Sequence, residues 1–334
     1  MSDEIQCGNI NNEVDLFGVR VASVFVILAT SMFGAFFPVL TRKSKFIHIP
    51  EAVFQFAKYF GSGVIIATAF IHLLSPATQE LTAPCLGQDW QNYPYALGIS
   101  MASVFAIFFA ELFAFRWGTA KLAEIGKKPY DAHGHGLVGH SAHGPEAPPM
   151  ETKAVDEESL TPSSEAESPL DSGIAQIIGI AILEFGVLFH SVIIGLTLAV
   201  DPQFKILFIV IIFHQMFEGL GLGSRLAYLD LPKEYRWAPY VGAALYGCTT
   251  PIGIAAGLGV RTTYNPNSTT ASIVSGVLDS ISSGILLYTG LVELLAHEFL
   301  FNPAMSKMSN KKLFFATAAM LFGAGIMALL GRWA

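Results

Sequence analysis

Long apolar runs, separated by shorter polar stretches, account for most of this chain. Runs of about 20 residues are long enough for a helix to cross a bilayer. The pattern therefore predicts an all-α membrane protein in which almost nothing remains for a soluble domain. We predict eight membrane-spanning helices, at about Leu16–Leu40, Ala52–Leu74, Pro94–Trp117, Ile174–Val200, Phe204–Leu226, Ala238–Val260, Thr270–Leu295 and Leu313–Leu330.

The fourth and fifth spans are separated only by Asp201-Pro202-Gln203. A connection this short makes the two helices antiparallel neighbours. His190 lies twelve residues before Pro202, and His214 lies twelve residues after it. At a rise of about 1.5 Å per residue, both imidazoles are expected about 18 Å below the tip, near the middle of a hydrocarbon slab about 30 Å thick.

Composition supports the membrane interpretation. Hydrophobic residues make up 52% of the chain and charged residues only 13%, about half the charged fraction of soluble domains. The formal net charge of −7 is shared among the loops, so no nucleic-acid partner is expected. The lipid membrane is therefore an expected partner, and a homodimer is left open.

Lysine and arginine concentrate in the loops after spans 1, 3, 5 and 7. By the positive-inside rule these loops are cytoplasmic, so both termini are expected outside. The chain then divides into residues 1–117 with spans 1–3, a loop at 118–172, residues 173–228 with spans 4 and 5, and residues 229–334 with spans 6–8.

The loop at 118–172 is rich in proline, serine and acidic residues, which is typical of a flexible linker. It also contains four closely spaced histidines, and short histidine-rich tracts bind metal weakly. We expect a low-affinity metal acceptor or sensor, with a plain polar linker as the alternative. The histidines are His133, His135, His140 and His143.

The central hairpin carries the candidate metal ligands. His214 and Glu218 are one helical turn apart on the same face of span 5, with Gln215 on the adjoining edge, and His190 meets them from span 4. Nitrogen and oxygen donors of this kind suit tetrahedral Zn²⁺, and Fe²⁺ or Mn²⁺ would accept the same set. Divalent metal ions are therefore the expected partners. The alternative is that these groups only hydrogen-bond to one another between helices.

Further polar residues predict a route for a cation on either side of this site. Asp279, Glu293 and His297 form one stripe of span 7 if the helix turns by a regular 100° per residue, and carboxylates inside a membrane rarely face lipid. Glu184 is either a proton acceptor or a support for a ligand. The expected order is His72 and Glu80 outside, then Asp279, the central site, Glu184, Glu111, Glu293 and His297. Two of these residues have an alternative interpretation outside the path. His72 could contact lipid headgroups, and Glu111 could pair with Arg116 with its carboxylate reaching toward the membrane surface.

Three segments carry a resemblance to a known family: HSVIIG from His190 to Gly195 with Glu184 upstream, HQMFEG from His214 to Gly219, and TTPIG from Thr249 to Gly253. They resemble the ZIP (Zrt/Irt-like) metal-ion transporters, especially the fungal and plant branch. The resemblance implies uptake of Zn²⁺, with Fe²⁺ as a second candidate, as transported substrate rather than cofactor. It also implies inverted three-helix repeats around spans 4 and 5, a 3+2+3 arrangement.

One departure from that family concerns the number of ions. Some members read His-Asn-x-Pro-Glu in span 4 and bind two metals. Here Ser191 and Ile194 stand at the Asn and Glu positions, so a second, bridged ion is not expected, although Ser191 stays among the candidate ligands.

The leading functional hypothesis is a carrier that exposes a mid-membrane metal site to each side in turn. A metal-gated channel or receptor is one alternative. An intramembrane zinc hydrolase is another, but the chain lacks a His-Glu-x-x-His run, so no enzyme is expected. The plasma membrane is the expected location, with an organelle membrane as the alternative. A Cys7–Cys85 disulfide and glycosylation of Asn267 are left open.

Overall fold

A computed structural model of the protein describes residues 15–43, 50–124, 185–188, 190–201, 203–229, 231, 233–261, 268–302, 305 and 307–333. The regular secondary structure of these residues is helical throughout. Several predictions fall outside the described residues, namely those on Cys7, Glu184, Asn267 and the loop histidines His133, His135, His140 and His143. Cys85 is disulfide-bonded, and its pairing with Cys7, which the sequence leaves open, involves a residue outside this description.

Eight helices organise the described part of the chain. They are α1 (Phe17–Lys43), α2 (Glu51–Leu81), α3 (Tyr95–Glu124), α4 (Phe185–Val200), α5 (Phe204–Tyr228), α6 (Ala238–Val260), α7 (Thr269–Phe301) and α8 (Asn310–Leu330). Seven of them are long and apolar enough to cross a membrane, the exception being α4. The first part of the predicted fourth span lies outside the described residues, so the count of eight spans and the outside termini stay predictions.

Two of the long helices contain a π-helical segment, at Thr68–Leu74 in α2 and at Thr289–Phe301 in α7. Both helices also extend beyond their predicted ends at Leu74 and Leu295. Segments of π-helix are rare and frequently occur at functional sites. Their wider turn also shifts the phase of the side chains that follow it. The uniform 100° stripe predicted along α7 therefore does not continue past Tyr288.

Glycine allows the closest helix contact beside the hairpin. A Cβ atom added to Gly221 of α5 would lie 2.8 Å from the Cα atom of Gly61 of α2, so these two backbones touch. Helices in lipid associate through such close packing, because lipid tails give no hydrophobic driving force between them. This crossing lies three residues after Glu218, on the side of the hairpin away from its tip.

A buried arginine fixes the tip of the hairpin. Arg20 of α1 donates hydrogen bonds to the carbonyl oxygens of Leu198, Ala199 and Asp201, at 3.1, 3.2 and 2.7 Å, and its guanidinium lies 4.5 Å from the ring centre of Phe204. These carbonyls belong to the end of α4, where the helix leaves them without partners of its own. Arg20 thereby anchors the α4–α5 junction to α1.

Candidate metal centre

Three buried side chains converge at the middle of the hairpin. His190 of α4 and His214 and Glu218 of α5 each offer one ligand atom, and these atoms all lie within 4.8 Å of one another. The three residues are 2%, 1% and 3% exposed, and the two imidazole rings are 5.5 Å apart between centres. The three-residue connection places them at one height, because each histidine stands equally far from the tip.

The carboxylate of Glu218 has contacts from two directions. Its Oε1 atom lies 3.2 Å from Nε2 of His214, one turn earlier on the same helix. The same oxygen accepts a 2.9 Å hydrogen bond from Oγ1 of Thr68, in the π-helical segment of α2. Thr68 has no feature in the sequence that marks it, since it stands alone among apolar residues, and it is found only through the packing of α2 against α5.

Many of the buried polar atoms at this site have no hydrogen-bond partner among the described residues. A buried polar group left without a partner costs about 1–3 kcal/mol, so the hydrogen-bonding alternative raised by the sequence accounts for only part of the site. A bound cation would satisfy the lone pairs that such groups offer, which are one nitrogen of each neutral imidazole and the carboxylate, amide and hydroxyl oxygens. The atoms without a hydrogen-bond partner are Nδ1 and Nε2 of His190, Oε1 of Gln215, Oε2 of Glu218, Oγ of Ser191 and Nε2 of His214, the last of which has only its 3.2 Å contact with Glu218.

The sequence predicts His72 near the outer surface, but the structure places it beside this group. Its ring meets that of His214 edge-on, with 4.7 Å between centres, and its Nε2 atom is 2.9 Å from the carbonyl oxygen of Met327 in α8. The prediction of its depth was wrong because α2 continues to Leu81, so that His72 is nine residues from the end of its helix. His72 is 5% exposed, which argues against the alternative of a headgroup contact.

Asp279 of α7 faces the other histidine. One of its carboxylate oxygens, Oδ1, lies 3.6 Å from Nδ1 of His190, and both side chains are buried. The sequence placed Asp279 between the outer residues and the centre, whereas the structure places it in contact range of a candidate ligand. A carboxylate facing the second nitrogen of an imidazole is the usual support of a metal-binding histidine.

Gln215 is held by α6. Its Nε2 atom donates a 2.6 Å hydrogen bond to Oγ1 of Thr250, and its backbone carbonyl accepts a 2.6 Å bond from the hydroxyl of Tyr246. Gln215 and Thr250 are fully buried. The TTPIG motif thus lies directly behind the hairpin, on an α6 that remains helical through Pro251.

The remaining predicted path residues do not join the three-ligand group. Glu80 lies in the last turn of α2. Glu111 of α3 accepts a 2.6 Å hydrogen bond from the hydroxyl of Tyr288 in α7; its predicted pairing with Arg116 is untested, since that side chain is not described. Glu293 and His297 are half-buried in the π-helical segment of α7.

Two polar contacts beyond the Gly61–Gly221 crossing were missed from the sequence. Nζ of Lys58 in α2 lies 2.6 Å from Oε1 of Glu298 in α7. The Nη2 atom of Arg225 in α5 donates a 2.7 Å hydrogen bond to Oγ of Ser62 in α2. Basic residues in a sequence indicate the cytoplasmic end of a helix, but which acidic or hydroxyl group they contact depends on the packing.

Ionisable residues inside a membrane-spanning bundle mark substrate or ion pathways, and imidazole and carboxylate groups are ligands for divalent metals such as Zn²⁺. The family model that matches residues 17–331 is described as ZIP Zinc transporter. The chain is 44% identical over 330 residues to zinc-regulated transporter 1 of Saccharomyces cerevisiae, and the aligned region covers 95% of this chain and 88% of that protein. It is 41% identical over 375 residues to zinc-regulated transporter 1 of Schizosaccharomyces pombe, covering 100% of this chain and 90% of that protein. Zinc transporter 3 of Arabidopsis thaliana is 33% identical over 336 residues, covering 98% and 89%.

The chain belongs to the ZIP zinc transporter family. It is an integral membrane protein that transports divalent metal and not an enzyme, so the predicted resemblance, the multi-span all-helical fold and the transport function are confirmed. The assignment of particular residues as metal ligands depends only on the geometry described above.

Proposed function

We propose that the protein carries Zn²⁺ into the cytoplasm through a site midway across the membrane, where His190, His214 and Glu218 bind the ion between α4 and α5. The observation that carries this proposal is the convergence of three buried ligand atoms within 4.8 Å of one another. Zinc is bound by imidazole nitrogen and carboxylate oxygen at about 2.0–2.2 Å, so small side-chain adjustments would close the shell around an ion.

Charge balance favours a divalent ion at this place. Two neutral imidazoles and the Glu218 carboxylate would leave a bound Zn²⁺ with one positive charge, and an uncompensated charge is costly in a membrane interior. Asp279, 3.6 Å from His190, supplies a second negative charge. With both carboxylates ionised the loaded site is neutral, whereas a monovalent cation would leave it negative.

The route to and from this site is part of the proposal. On the outer side, Glu80 in the last turn of α2 would receive the ion, and His72, whose ring lies 4.7 Å from that of His214, would pass it to the hairpin. On the cytoplasmic side, Glu293 and His297 of α7 would pass it toward the loop that contains His133, His135, His140 and His143. Fe²⁺ is a second candidate substrate, because the same donors accept it, and the plasma membrane is the proposed location.

The packing on the side of the site away from the hairpin tip favours a carrier over an open channel. The contact of Gly61 with Gly221 lies less than one turn beyond Glu218, and the Arg225–Ser62 hydrogen bond follows one turn further on. Helices in backbone contact leave no water-filled passage between them. An ion on the hairpin would therefore need a relative movement of α2 and α5 to leave along that face.

Radioactive zinc uptake into proteoliposomes tests the proposal. We expect saturable uptake by the wild-type protein, competition by Fe²⁺, and loss of uptake in His190→Ala and Glu218→Ala variants that keep the wild-type elution volume and helical circular dichroism. Glu51→Ala is the matched control, since that carboxylate is exposed at the start of α2. Wild-type uptake by either site variant would refute the assignment, and flux that stays linear with zinc concentration would favour a channel.

A further inference from the structure

The side-chain amide of Gln215 is buried with its two ends in different situations. Its Nε2 atom donates to Oγ1 of Thr250 at 2.6 Å, whereas its Oε1 atom has no hydrogen-bond partner among the described residues. The two ends are chemically opposite, because the oxygen has lone pairs that can bind a cation and the NH2 group has only hydrogens to offer. Which end faces the ion therefore decides whether the residue attracts it or repels it.

Thr250 is itself held firmly. A Cβ atom added to Gly195 of α4 would lie 2.5 Å from the carbonyl oxygen of Thr250, so α4 packs directly against this turn of α6. On the other side, the hydroxyl of Tyr246, one turn earlier in α6, donates to the carbonyl of Gln215. The hydroxyl of Thr250 consequently has a fixed place relative to both helices of the hairpin.

Ser191 lies on the face of α4 that packs against Thr250, and its position agrees with a polar side of the site at this contact. It lies one helical turn before Gly195, which contacts Thr250, and its Oγ atom is buried without a partner. Its chain neighbour is the candidate ligand His190. Two unpartnered oxygens, from Ser191 and Gln215, are thus brought to the region where α4, α5 and α6 meet.

We propose that Thr250 is a positioning residue for metal binding, which holds the Gln215 amide by its NH2 group so that Oε1 is presented to the ion as a fourth ligand. This inference rests on the proposed function, because it completes the same site. Three ligands leave one tetrahedral position of Zn²⁺ open, and an amide oxygen fills it without adding charge. As a hard donor it favours Zn²⁺, Fe²⁺ and Mn²⁺ over Cu⁺.

Removing the hydroxyl should release the amide. In Thr250→Val the NH2 group loses its acceptor and can turn toward the ion, so we expect the dissociation constant for Zn²⁺ to rise by about tenfold, the lower end of the range for lost supporting contacts at metal sites. Thr250→Ser keeps the acceptor and should bind like the wild type. Thr250→Ala removes the same hydroxyl without adding a methyl group, and it replaces the valine variant should that variant fold poorly.

Thr249→Val is the matched control. Its Oγ1 atom donates to the carbonyl oxygen of Tyr246 within α6 and not to Gln215, so this substitution makes the same chemical change one residue away. Zinc binding by the purified protein would be measured by isothermal titration calorimetry, with the melting temperature followed in parallel. We expect Thr249→Val to leave the dissociation constant within about twofold of wild type.

A double-mutant cycle separates positioning from packing. Gln215→Glu has an oxygen at both ends of the side chain, so its presentation of an oxygen no longer depends on Thr250. We expect the tenfold effect of Thr250→Val to fall below twofold in the Gln215→Glu background. An equal effect in both backgrounds, or no effect in the wild-type background, would overturn the inference. A wild-type protein that bound no zinc would instead refute the proposed function itself.

Discussion

Glu218 provides the sharpest test of the electrostatics of the site, because it is the only carboxylate among the three converging ligands. The substitution Glu218→Gln removes its charge and keeps its size. The amide oxygen can still accept the hydrogen bond that Thr68 donates to Oε1 at 2.9 Å. We therefore expect the metal-free variant to fold and to melt close to the wild-type temperature.

The expected loss of affinity follows from Coulomb's law. Two unit charges 4 Å apart interact by about 4 kcal/mol at an effective dielectric constant of 20, so a divalent ion and a carboxylate interact by about 8 kcal/mol at that distance and by more at the shorter distance of a metal ligand. The amide dipole and the nearby Asp279 recover part of this energy. A net loss of at least about 3 kcal/mol remains, which corresponds to a rise in the dissociation constant of roughly 100-fold.

The assay is calorimetric titration of detergent-purified protein with Zn²⁺, combined with thermal unfolding in the presence and absence of the ion. Ligand binding to the folded state raises the melting temperature by mass action, so the zinc-dependent shift should disappear in Glu218→Gln. Glu51→Gln makes the same change at an exposed position and should retain both binding and the shift. Binding within threefold of wild type in Glu218→Gln would refute the reasoning.

Two further predictions concern the surroundings of the site. Asp279→Asn removes the carboxylate 3.6 Å from Nδ1 of His190 and should weaken zinc binding about 10–100-fold; a calorimetric titration that matches wild type would show that Asp279 does not support this ligand. Gly221→Ala forces a methyl group to within 2.8 Å of Gly61 and should destabilise the protein by about 1–3 kcal/mol, seen as a lower melting temperature. Gly259→Ala, where an added Cβ meets nothing within 4 Å, is its control, and equal melting temperatures would argue against the close crossing.

The hairpin could be anticipated from the chain alone because its geometry is local. His190 and His214 stand equally far from Pro202, and a short connection fixes antiparallel helices at one height. The four-residue spacing of His214 and Glu218 places both on one face for the same reason. These are relations along one or two neighbouring helices, and the structure brings the three side chains together.

The contributions of the other helices could not be anticipated, because they depend on how far each helix continues and how it packs. A hydropathy run that ends at Leu74 makes His72 a terminal residue, yet α2 continues to Leu81 through a π-helical segment. The contacts of Thr68 with Glu218 and of Thr250 with Gln215 join residues 150 and 35 positions apart. Periodicity within a single helix contains no information about such pairs.

The central claim is that one ion binds between α4 and α5, and anomalous X-ray scattering at the zinc edge from crystals of the zinc-loaded protein tests it most directly. We predict a peak about 2.0–2.2 Å from a nitrogen of His190, a nitrogen of His214 and an oxygen of Glu218. A peak elsewhere in the bundle, with these three side chains left uncoordinated, would contradict the account.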